Sequence, residues 1–220
     1  MTARRTPTIE TITAVAGRTF CEEAGFTLRN RPSPLYQLLV LSTLLAKPIS
    51  PTLAIAGARE LRRAGGRTAD GMLQLTWQER VDALGRGHYR RYDESSATIL
   101  AKSAEHVRDR YHGDLRRLAA RAGDDVSAAH KLLTDVPGIG PSGADVFLRE
   151  AQLVWLWVRP YIDARVLDGA ARLGLTKSRA ALTRHFQRSL DPAGLAAALV
   201  WATIDDTVAE RVRDADRAKA

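Results

Sequence analysis

Two places in this 220-residue chain carry residue types and spacings able to do chemistry. The first is Asp163, within Ile162-Asp163-Ala164-Arg165-Val166-Leu167-Asp168. An aspartate that opens a helix is kept ionised by the N–H groups of the first turn. It can balance a positive centre at close range, or accept a proton from water. Aspartate is also among the best N-caps, and Val166, Ala170 and Leu173 follow at helical spacing, so a capping role uses the same residues. The second place is Val136-Pro137-Gly138-Ile139-Gly140-Pro141-Ser142-Gly143. A helix ending near Thr134 must turn sharply here, and Gly138 and Gly140 supply backbone that takes positive φ without a side-chain clash. Pro141 then starts a second helix where a missing N–H costs nothing, and Asp145 is expected to add negative charge in its first turn. Bare N–H groups beside a helix N-terminus favour a phosphate oxygen. Pro137, Gly138, Ile139, Gly140 and Ser142 therefore form a candidate phosphate clamp, although a turn that only packs two helices would use the same glycines. A third stretch, Gly85 to Tyr92, is dense in arginine and aromatic rings, the composition of a loop that tracks a nucleic-acid backbone or of an ordinary surface loop.

In order and spacing, the hairpin, the connector Trp155 to Tyr161 and the Asp-opened segment to Leu175 resemble the helix-hairpin-helix DNA glycosylase superfamily, the group of endonuclease III and adenine glycosylase. Pro34 to Ser50, and Gly87-His88-Tyr89 before a long helix, are similar to it as well, so the resemblance covers roughly Pro32 to Leu175. It implies an all-α fold of two lobes with double-stranded DNA in the cleft between them. Residues 32–158 would form a barrel-like lobe, and residues 1–31 with 159–220 a second lobe carrying Asp163. In that family the aspartate acts on the anomeric carbon of a flipped-out nucleotide, activating water or stabilising positive charge as the glycosidic bond breaks. Lys47 stands where the family places a polar residue, typically glutamine in the endonuclease III branch, that fills the gap left by the extruded base. His88 stands where a residue pushes in opposite that base. Arg165, Arg149, Arg172 and Lys131 are candidates for phosphate contacts, each with an ordinary solvated role as the alternative.

The departures from the family matter as much as the matches. Ser142 occupies the position where bifunctional members carry the lysine that forms a Schiff base with the sugar, and serine cannot do so. A monofunctional, water-using glycosylase is the expectation. The adenine-specific branch also has serine here, but it carries a glutamate on the earlier buried helix, and Leu35 to Ala46 contains no acid. The family's iron–sulfur cluster needs four cysteine ligands, whereas Cys21 is the sole cysteine. No cofactor is expected, although the hairpin carbonyls could take a monovalent cation.

These residues need helices to hold them. Apolar periodicity predicts helices over Thr8 to about Ala24, Leu35 to Ala46, Thr52 to Ala64, Trp77 to Leu84, Asp93 to Tyr111, Leu115 to Ala120, Ala128 to Leu133, Ser178 to Ser189 and Pro192 to about Arg213. Ser33-Pro34 is expected as N-cap and N1 of the second, and Met72 to Leu75 as a short apolar turn. The helix from Leu35 is apolar nearly all round and should be central. No stretch alternates as a strand would. Residues 1–7 and the charged C-terminal end are expected to fray. Cys21 is expected as a core thiol.

The chain carries a net charge of +8 and a sequence pI near 10.1, which gives affinity for polyanions. No apolar run reaches the ~20 residues of a spanning helix, and the N-terminal residues lack a signal-peptide core, so a cytoplasmic monomer away from membranes is expected. Two functional classes follow. One is a base-releasing enzyme with Asp163 catalytic; the other is a DNA-binding protein of the same fold that recognises lesions without cutting. A third option is abasic-site incision by another amine, Lys47 or the N-terminus.

Overall fold

The structure is a computed structural model that describes residues 6–218. Every regular element among the described residues is helical. Residues 1–5 and 219–220, within the ends expected to fray, lie outside the described residues, as does the N-terminal amine. The chain divides into two compact units, one spanning Phe20–Val158 and the other joining the residues before it to those after it. The segment 20–31 thus belongs to the larger unit rather than to the second lobe.

In the larger unit α2 (Phe20–Glu23) leads into α3 (Pro32–Leu45) and α4 (Pro51–Arg63). The short helices α5 (Ala69–Gln74) and α6 (Trp77–Arg86) precede α7 (Asp93–Tyr111), which is followed by α8 (Arg116–Ala122). α9 (Val126–Thr134) and α10 (Pro141–Ala151) flank the glycine hairpin, and a 3-10 turn, Leu156–Val158, ends the unit. α3 is the core helix: Leu35, Leu38, Leu39, Leu41 and Leu44 are all fully buried, each contributing roughly 1.5–3 kcal/mol over exposure. It packs on α4, α7 and α10, which ties the hairpin to the best-buried part of the unit.

In the smaller unit α13 (Pro192–Ile204) is central, with α1 (Ile9–Ala16), α11 (Ala164–Arg172), α12 (Arg179–Arg188) and α14 (Asp206–Ala218) packed on it. A Cβ at Gly169 would stand 1.9 Å from the Leu199 carbonyl oxygen, so α11 and α13 cross at a distance only glycine permits.

Four expectations are corrected. The helix from Thr8 to Ala24 is two helices: Gly17 closes α1, and the buried Glu150 carboxylate accepts hydrogen bonds from the Phe20 and Cys21 N–H groups (3.2 and 2.9 Å), supplying a new N-terminus for α2. The helix from Pro192 to Arg213 breaks at Asp205, an extended residue whose carboxylate caps the next turn at the Thr207 N–H (2.9 Å). Residues 72–75 lie in α5 and just after it; α5 is capped by Thr68, which accepts from the Gly71 N–H. Ser33 is not an N-cap, because α3 begins at Pro32 and the Ser33 hydroxyl donates to the Arg67 carbonyl instead.

Candidate functional site

The hairpin is built by its own backbone. The Ile139 N–H donates to the Val136 carbonyl (3.0 Å) across Pro137 and Gly138, and Gly138 sits at φ +88°. A side chain there is excluded twice, by that φ and by packing: a Cβ would meet Ile99 at 2.8 Å and Thr43 at 3.3 Å. Gly140 differs. Its backbone is extended, nothing lies within 4 Å of a Cβ placed on it, and Gly140, Pro141 and Ser142 are all exposed. Ile139 points inward, 3 % exposed, so of the five hairpin candidates it offers solvent neither side chain nor N–H. The open chemistry is concentrated at the start of α10, whose N-cap Gly140 provides no side-chain cap and whose first turn contains no acid. Asp145 stands one turn further along, with its carboxylate 3.4 Å from His130 of α9. Pro141 has no N–H, the Ala144 N–H donates to the Gly140 carbonyl (3.0 Å) and Gly143 is buried, so the N–H of exposed Ser142 is what this turn offers to solvent.

The hairpin carbonyls of Pro137, Gly138 and Ile139 accept no hydrogen bond among the described residues, so they are oxygen donors of the kind a monovalent cation takes. No group of three or more His, Cys, Asp or Glu suited to a metal occurs among the described residues.

Lys47 follows directly on the end of α3, and that end is packed against the hairpin: the Ala46 Cβ lies 3.5 Å from where a Cβ on Gly143 would stand. Lys47 is half-buried. His88 is exposed and left-handed at φ 58°, in a turn where the Tyr89 N–H reaches the Leu84 carbonyl and Tyr89 itself is fully buried. Its imidazole is presented to solvent by a turn anchored on both sides, because Gly87 packs directly on the backbone of Ala56 and Gly57 in α4. Of the other candidate cations in this unit, Lys131 is exposed, whereas Arg149 is 4 % exposed and unable to reach a phosphate outside the protein.

Asp163, in the smaller unit, caps α11. Its Oδ1 accepts from the Val166 N–H at 2.9 Å, and the residue is 9 % exposed. The cap holds the carboxylate against the positive end of the helix and fixes its rotamer. Arg165, in the first turn of the same helix, is exposed, while Arg172 at its other end is ion-paired with Asp206. A neighbour that sequence reasoning missed is Arg179: from the start of α12 its guanidinium donates to the Ile162 carbonyl, the peptide just before Asp163. The Ser178 N-cap locates α12 in the sequence, but no local pattern says which carbonyl its first side chain will reach.

A second missed residue is Glu150. Burial raises its carboxyl above the ordinary range, opposed by the two N–H donors of α2, and burial together with Glu150 raises the Cys21 thiol well above its ordinary value. These groups hold α2 to α10; they carry no reactive thiolate. No protein-family model matches the chain, and no curated protein is significantly similar to it in sequence.

Proposed function

We propose that the protein is a monofunctional DNA glycosylase that flips a damaged or mismatched base out of double-stranded DNA and hydrolyses its N-glycosidic bond. The observation that carries this reading is the exposed, uncapped and acid-free start of α10 behind the Gly138 turn, a place for a phosphate oxygen. The proposal includes the finer fold, two lobes with the duplex in the cleft between them, and a cytoplasmic monomer as the working species. Asp163 would stabilise the oxocarbenium-like centre or take a proton from the attacking water, with its orientation set by the Val166 N–H. Extrusion costs a few kcal/mol and least at damaged pairs, so selectivity begins before the bond breaks. Lys47 would enter or border the space left by the base, His88 would press on the opposite strand, and Arg165 would contact the backbone. A monovalent cation would sit at the carbonyls of Pro137 to Ile139, where its charge would favour the adjoining phosphate.

One observation favours a second reading, a protein of this fold that binds lesions without cutting. Asp163 is largely buried and already employed as a cap. A panel of duplexes carrying oxidised, alkylated, deaminated and mismatched bases separates the two. The glycosylase reading expects heat- or alkali-revealed base release from at least one duplex, and no borohydride-trapped adduct on abasic DNA, because Ser142 cannot form one. Tight binding across the panel without release from any duplex selects the second reading, and a trapped adduct selects incision by another amine such as Lys47.

A further inference from the structure

α12 carries cations that the protein itself does not use. No acid stands between Asp168 and Asp191 in the sequence. Within that stretch Arg172 pairs with Asp206 and Arg179 binds the Ile162 carbonyl, but Lys177, Arg184 and Arg188 are exposed and form no ion pair or side-chain hydrogen bond among the described residues. Leu182 and Phe186 are buried and define the inner face of α12. Arg184 and Arg188, one turn apart, share the outer face with Gln187. Like charges at this spacing repel, and the helices packed on α12 offer little relief: α13 has no acid and α11 only Asp168. The helix is anchored at its first residue to the peptide preceding Asp163.

We propose that the outer face of α12, through Arg184 and Arg188 with Lys177 beyond its N-terminus, is a second contact for the phosphate backbone of duplex DNA, borne by the unit that carries Asp163 and separate from the glycine hairpin. It rests on the reading that DNA is the partner, though not on cutting. Guanidinium forks match paired phosphate oxygens, and each phosphate neutralised releases counterions. A membrane surface fits poorly, since a helix lying on lipid needs an outward apolar face and that of α12 is turned inward, leaving only Leu190 exposed nearby.

The test is duplex affinity as a function of salt for the full chain, its R184Q/R188Q variant and its R184K/R188K variant, with base release followed in the same preparations. Two lost contacts lower the slope of log affinity against log salt by about 1.8, a loss of tens of fold near 0.1 M salt, while the lysine variant keeps most of the slope. An unchanged slope in R184Q/R188Q overturns the proposal, as does an equal loss in R184K/R188K, which would mark a packing defect. Preferential binding of wild type to anionic vesicles over duplex also overturns it. If no duplex in the lesion panel is cut, the glycosylase reading falls, yet the slope still decides the role of α12.

Discussion

Gly138 and Gly140 look alike in sequence and differ in what the protein demands of them. Gly138→Ala forces a left-handed alanine against Ile99 and Thr43 and should cost about 1–3 kcal/mol, seen as a lower urea midpoint. Gly140→Ala meets open space on extended backbone and should leave stability within about 0.5 kcal/mol, so any loss of duplex affinity in that variant reports on the contact alone. Cys21 is fully buried and its thiol is held protonated, so it should resist alkylation in the native protein and react on unfolding. Glu150 makes a pH prediction. With its carboxyl raised by burial, the folded state binds that proton more tightly than the unfolded chain. The group's contribution is therefore greatest at low pH and declines as pH rises above the ordinary carboxylate value of 4.5. Urea unfolding across pH 4 to 8 should show wild type losing ground to Glu150→Gln as pH rises; a difference independent of pH would contradict it.

Elements were legible where a pattern is local. The all-round apolar run of α3, the α7 helix ending at left-handed His112, and the Asp163 cap stand where periodicity and capping residues put them. What the sequence hid was set by distant partners. Nothing near Phe20 announces that Glu150 will cap a second helix there, and nothing near Gly169 announces the Leu199 carbonyl. The exposed start of α10 follows from the hairpin pattern, whereas the inward turn of Ile139 and the burial of Arg149 depend on packing against the rest of the unit. At this scale Gly169→Ala should be among the most damaging small substitutions in the chain, costing about 1–3 kcal/mol as α11 is pushed off α13. Because α11 also carries the Asp163 cap, base release should fall with it.

For the whole molecule, the surplus of positive charge and the solvent-facing hairpin support a backbone-gripping protein, and chemistry is what distinguishes an enzyme from a binder. A duplex complex with four to six phosphate contacts should lose affinity with salt at a slope of about −0.9 for each. Both readings share that slope, so the decisive variant is one that removes a charge and keeps a fold. Asparagine caps helices about as well as aspartate, so Asp163→Asn should preserve α11 and duplex binding while removing the carboxylate. Single-turnover base release from the best lesion duplex, measured for wild type and Asp163→Asn at saturating protein, is the direct measurement. A loss of at least about a hundredfold in rate with binding retained is the predicted result; release at the wild-type rate would show that the carboxylate of Asp163 only closes a helix.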